Sequence, residues 1–190
     1  MNNKIANIVV GFIEDLPWIE KLSGLTQVAR VSQSSADSKV EKRFPISCAM
    51  NYDDACKLGT YDELSPDSKY KSVVFFEDGS FSLDEKVGDK LYYESTIRLV
   101  AWLNLCKIED SCGTSGDYVL SIIKALPAMP YNYGVMLGIT IDVTSQLQRD
   151  VSIFSKYTFN EKQTQYLMYP YDFFALEIRT RFHVKSECIP

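Results

Sequence analysis

The 190-residue chain is 46% hydrophobic and 13% aromatic, enough for one domain with a proper core and too short for two comfortable ones. Its formal net charge of −5 excludes binding of phosphate backbones by bulk electrostatics. No run has the apolar length that spans a bilayer, and MNNKIANIVVGFIEDL, interrupted by Glu14 and Asp15 and without a small-x-small site, does not read as an export leader.

Ile5, Ile8, Val9, Phe12 and Leu16 recur at helical spacing and predict a helix over 4–16. Pro17 then suits the first position of a short second helix, Trp18 to Leu22, stopped by Gly24. Strands are expected over 25–32 and 39–49, joined by a polar stretch from Gln33 to Ser38. Together they make a long hairpin arm, about 25–49, whose tip, Ser32 to Arg43, is read as a flexible loop. Pro45 within the second strand argues for a sheet edge. The region 51–70 is polar and turn-rich, with one helical turn expected at 53–58.

Tyr70 to Phe76 and Phe81 to Asp84 flank Glu77-Asp78-Gly79-Ser80, which reads as a hairpin turn. Leu91 to Ile108 alternates for an unusual length. Leu91, Tyr93, Ile97, Leu99, Ala101, Leu103 and Leu105 share one face, and Tyr92, Glu94, Thr96, Arg98 and Asn104 the other. Val100 and Trp102 fall on that second face, so its middle is expected to be covered. A helix follows over 117–126, with Val119, Ile122, Ile123 and Leu126 as its buried stripe and Pro127 as its stop. A strand is expected over 135–144, continued or returned by 151–157, and Asn160 with Gln163 resembles a capping box for a short helix to Met168. The final strand sets Phe174, Leu176, Ile178, Thr180, Phe182 and Val184 against Glu177, Arg179, Arg181, His183 and Lys185. Without a regular βαβ rhythm, these elements predict one α+β domain over 1–190: a mostly antiparallel sheet with helices packed on one face.

The five cysteines, Cys48, Cys56, Cys106, Cys112 and Cys188, are odd in number and lack C-x-x-C spacing. They read as free thiols, with a Cys106–Cys112 pair left open. His183, the one histidine, lies on a polar strand face without a sequence-adjacent nucleophile. One histidine and no close cysteine pair argue against structural zinc. The acids Asp53, Asp54, Asp62, Glu63 and Asp67 lack calcium-loop spacing. Cys112-Gly113-Thr114-Ser115-Gly116 lacks the lysine of a P-loop and misses the nucleophile elbow by one residue. Ser121-Ile122-Ile123-Lys124 matches S-x-x-K without its companion motifs. Phe75, Phe76, Tyr92 and Tyr93 interleave as base-stacking aromatics do, but no basic groove accompanies them. The basic side of the last strand is adequately explained by acids elsewhere on the sheet. No catalytic, cofactor-binding or metal-binding residue is therefore assigned, no cofactor is expected, and the chain is read as a non-enzyme.

The order of elements, with the hairpin Gln27-Val28-Ala29-Arg30-Val31 to Phe44-Pro45-Ile46-Ser47 and the closing Tyr169-Pro170-Tyr171-Asp172-Phe173-Phe174-Ala175-Leu176-Glu177-Ile178, resembles the tail-terminator-like neck and tail-completion proteins of tailed bacteriophages. The nearest likeness is to the portal-proximal ring proteins of crAss-like phages. The resemblance implies a structural ring, about twelve-fold, closed by head-to-tail contacts. Such a ring would stack on a portal protein or on other tail ring proteins, with double-stranded DNA passing through its lumen without specific binding. It would sit in the virion neck or tail after assembly in the host cytoplasm, with no membrane partner. The arm and the acidic segment 51–71 are the contacts it points to. Two other readings are a monomeric α+β module that binds a small molecule or peptide, and a cysteine-dependent enzyme whose thiolate would need a basic neighbour such as His183, near Cys188.

Overall fold

In the computed structural model, residues 1–35, 38–47, 62–108, 115–148, 151–158 and 164–185 are described. Helix α1 (Asn2–Ile13) precedes strands β1 (Lys21–Ser35), β2 (Ser38–Ser47), β3 (Ser72–Val87) and β4 (Lys90–Asn104). Helix α2 (Ser115–Ala125), β5 (Tyr131–Tyr133), β6 (Met136–Gln148) and β7 (Tyr171–Lys185) complete it, with short 3-10 turns at Val151–Phe154 and Gln165–Leu167. One seven-stranded sheet runs in the order β2-β1-β3-β4-β7-β6-β5. β1 pairs parallel with β3, and the other pairings are antiparallel. The fold is α+β as expected, and β2, which carries Pro45, is an edge strand.

Both helices lie on one face. The stripe Ile5, Ile8, Val9 and Ile13 of α1 and Tyr118, Val119 and Ile122 of α2 press on Val74, Phe76, Ile97, Leu99, Leu103, Phe174, Leu176 and Ile178. Alternation along β4 and β7 delivers those sheet residues to one side. Each fully buried aliphatic or phenyl side chain contributes about 1.5–3 kcal/mol. The opposite face carries a second, smaller core: Val73, Phe75, Val100, Trp102, Phe173 and Ala175 under Leu64, Ile153, Phe154 and Tyr157. Val100 and Trp102 are thus covered, as the alternation required.

Five expectations change. The helix expected at 18–22 is absent, and β1 begins at Lys21. Ser72 directs the chain there: its hydroxyl donates to the Trp18 carbonyl (2.8 Å) and accepts from the Glu20 N–H (2.9 Å), holding the backbone extended beside β3. The arm tip read as a loop is mostly ladder, since β1 and β2 stay paired from Thr26↔Ser47 to Ser35↔Ser38. Backbone pairing there overrides the polar composition. Glu77 to Ser80 is no turn. β3 continues through it with a bulge between Asp78 and Phe81, and the chain reverses at Gly88-Asp89, where Gly88 has φ 61°. The segment from Val151 winds as a 3-10 turn rather than a strand. Ile123 is exposed, its place on the buried stripe taken by Tyr118. The helical turn expected at 53–58 and the capping box at Asn160 and Gln163 lie outside the described residues.

Gly79 marks the bulge because β4 passes close to it. A Cβ there would meet the Thr96 carbonyl oxygen at 2.2 Å, whereas one on Gly11, in α1, meets nothing within 4 Å. The two glycines should respond with opposite signs. Gly79→Ala is expected to cost about 1–3 kcal/mol through forced backbone movement. Gly11→Ala is expected to gain about 0.5–1 kcal/mol from helix propensity. Urea denaturation midpoints with an unchanged slope measure both.

Candidate functional site

The face of the sheet away from the helices has two halves. Its covered half ends in a buried polar cluster. Alternation along β3 places Glu77 on the side of Val73 and Phe75, where its side chain is only 3% exposed. The Tyr157 hydroxyl donates to one carboxylate oxygen (2.7 Å); Lys156 Nζ (3.0 Å) and an Arg98 guanidinium nitrogen (3.3 Å) reach the other. Burial, then the Glu77 charge beside it, raises the Tyr157 phenol well above its ordinary range, so it stays a donor. Arg98 Nε is buried and without a hydrogen-bond partner. Lys156 and Tyr157 follow a 3-10 turn, so the cluster pins the cover to the sheet. Thr158 N–H extends the attachment by donating to the Arg43 carbonyl of the arm (2.7 Å).

Beyond this cluster the face is open and polar. Glu94 on β4 is held between Arg179 (3.3 Å) and Arg181 (3.0 Å) on β7, so the basic side of the last strand is matched by an acid across the ladder. His183 leans on Tyr92, with ring centroids 5.2 Å apart. β6 bulges past it at Gly138, where φ is 60° and a Cβ would lie 3.4 Å from the imidazole. His183 is thus a packed strand residue between aromatic and backbone.

The other sequence candidates separate. Ser121 of the S-x-x-K match accepts from Trp18 Nε1 (2.9 Å) and donates to the Tyr118 carbonyl (2.7 Å), which joins α2 to the chain after α1. Asp62 pairs with Lys21 (2.6 Å), and Glu63 bridges Ile46 of the arm. Asp67 accepts from the Lys69 N–H (3.0 Å). Phe75 and Phe76 are buried on opposite faces of β3. Cys106 is a free, exposed thiol. Cys48, Cys56, Asp53, Asp54, Cys112, Gly113, Thr114 and Cys188 lie outside the described residues. Among the described residues no group of three or more His, Cys, Asp or Glu side chains converges on a metal-sized site, and no helix is long and apolar enough to cross a membrane.

Tyr169-Pro170-Tyr171-Asp172-Phe173-Phe174 resolves into separate tasks. Tyr171 stacks on Trp102 (5.2 Å), Phe173 enters the smaller core and Phe174 the larger. Tyr169 is left 89% exposed.

The free lengths of β3 and β6 were not legible in the sequence. β3 pairs with β1 only as far as Phe76, so its outer side from Glu77 to Val87 is unpaired among the described residues. At the opposite margin, β5 covers β6 only up to Ile139, leaving Thr140 to Gln148 unpaired on that side among the described residues. Beside this second edge lies a groove of about 630 Å³ between the end of α2 and β6, lined by Ile123, Leu126, Met129 and Ile141 and by the charged Asp142 and Arg181.

Tyr131, on β5 opposite Ile139, has a hydroxyl that is buried without a partner. Burial first, then Tyr133, pushes its ionisation up to about 12. With the phenol raised from 10 in the folded state, stability is independent of this group below pH 10 and falls as pH climbs toward 12, because the unfolded chain gives up the proton first. Tyr131→Phe is therefore expected to raise the melting temperature at pH 7 by about 2–4 °C, on the order of 1 kcal/mol for an unmade hydrogen bond. It should also flatten the decline between pH 10 and 12. Thermal melts across that range check both effects.

No family model, no curated protein and no solved structure matches the chain.

Proposed function

We propose that this protein is a structural subunit of a bacteriophage head-to-tail connector or tail. In this reading, copies join head-to-tail into a ring around the DNA channel and stack on a portal protein or another tail ring. One observation carries it: the two margins of the sheet are unlike and both are unfinished. One margin bears the β1–β2 ribbon, whose ladder runs out to Ser35↔Ser38, and the other ends in a length of β6 that no strand covers among the described residues. Unlike surfaces on opposite sides of one molecule generate head-to-tail contacts, which close into rings when the rotation allows. Unpaired strand margins are templates for another chain. The net charge of −5 and the matching of Arg179 and Arg181 by Glu94 suit a wall that lets DNA slide. The phage assignment itself rests on the sequence resemblance.

The groove beside β6 favours a second reading, a monomeric module that binds a peptide. Negative-stain images of concentrated protein separate the two. Closed rings with an axial hole support the connector reading and give the symmetry. A field of single small particles at all concentrations speaks for the module.

A further inference from the structure

We infer that the free edge of β6 together with the groove along α2 is the acceptor for the β1–β2 arm of a second copy of this chain. This inference rests on the assembly reading above and names the contact that would make it. Isolated strand margins in soluble proteins are usually blunted by lysine, proline or a bulge. From Thr140 to Gln148 the sequence is Thr-Ile-Asp-Val-Thr-Ser-Gln-Leu-Gln. It has no proline and no lysine, Asp142 is its one charge, and its ladder with β7 shifts register once, between Val143 and Ser145. The outer half of β3, the other unpaired length, has two bulges, between Asp78 and Phe81 and between Leu83 and Glu85, and carries Asp84, Glu85 and Lys86, so it is the more heavily blunted edge. The edge of β6 is the receptive one.

A strand added to β6 gains main-chain hydrogen bonds and places alternate side chains over the neighbouring helix. What it would meet there is apolar and uncovered: Leu120 and Ile123 of α2 and Met129 after it are all exposed, and Ile123 and Met129 line the groove.

The arm has the matching properties. Nearer the body, β2 is held on its outer side by Asp62, Leu64 and Thr158, which bond at Ser47, Pro45 and Arg43. From Ser38 to Lys42 it has no further strand beside it among the described residues. Lys42 and Arg43, against Glu41, suit an edge whose one charge is Asp142, since Arg181, which also lines the groove, is held by Glu94. Donor and acceptor stand at opposite ends of the strand order. A copy that gives its arm to one neighbour therefore keeps its own β6 free for the next.

Two variants of the full chain test this by sedimentation velocity. In the first, Ile123→Glu with Ser145→Lys blocks the acceptor at two exposed positions. In the second, residues 33–40 are replaced by Asn-Gly, which closes the hairpin between the paired Ser32 and Glu41. Circular dichroism melts verify that each is folded. Each variant alone is expected to be monomeric, while a mixture forms a one-to-one complex, because the first still offers an arm and the second an open edge. If the acceptor-blocked variant associates as the natural protein does, or the mixture forms no complex, the arm-to-β6 contact is wrong while head-to-tail assembly stands. If the natural protein stays monomeric into the millimolar range, the assembly reading fails and this contact with it.

Discussion

Glu77→Ala is expected to destabilise the fold by about 3–5 kcal/mol, the cost of removing one partner from a buried ion pair. The carboxylate is the common acceptor for Tyr157, Lys156 and Arg98. Lys156 is half exposed and can turn to water. Arg98 is mostly buried, with its Nε already unpartnered, so its charge would be stranded. The Tyr157 hydroxyl would lose its acceptor as well. Replacing both charges, as Glu77→Met with Arg98→Met, should recover most of the loss, because the desolvation cost disappears with them. Urea unfolding of the single and double variants measures the difference. A loss under about 1 kcal/mol for Glu77→Ala would mean that the cluster is solvated and does not hold the cover down.

Trp102→Ala is expected to cost a further 3–5 kcal/mol or so, the range for removing a buried tryptophan from a packed core. The side chain is completely buried, packs against Tyr171 and Tyr166, and donates from Nε1 to the Tyr166 carbonyl (2.7 Å). Its loss takes away the surface on which the Gln165–Leu167 turn rests. Proteolysis at 151–170 should therefore accelerate well before the helix-side core opens, because the two cores are separated by the sheet. Trp102→Phe keeps most of the packing and is expected to lose about half as much, chiefly through the orphaned carbonyl. Equal protease resistance in Trp102→Ala and the natural protein would contradict this division of the core.

What was legible in the sequence follows from how local each cause is. The alternation of β4 and β7 runs long enough to assign both faces, down to Val100 and Trp102 under a cover. Pro45 was readable as an edge residue because its missing N–H acts locally. The errors fall where a distant partner decides. Asp78-Gly79 has the composition of a turn, yet the close approach of Thr96 makes Gly79 a bulge. Trp18 to Leu22 has a helix start, but Ser72 holds it extended from 54 residues away. The Glu77 cluster draws on residues as far as 80 positions apart, so only the carboxylate's place on the face of Val73 and Phe75 could have been foreseen. The free edges of β3 and β6 depend on strand order, which no local pattern encodes.

The central claim, head-to-tail assembly through unlike surfaces, is tested most directly by light scattering on a size-exclusion column over a range of protein concentrations. Mass rising past the dimer and settling at one closed multiple of the 21.6 kDa chain is the predicted result. A plateau at the dimer would indicate a self-complementary contact and contradict the claim, as would a monomer at every concentration.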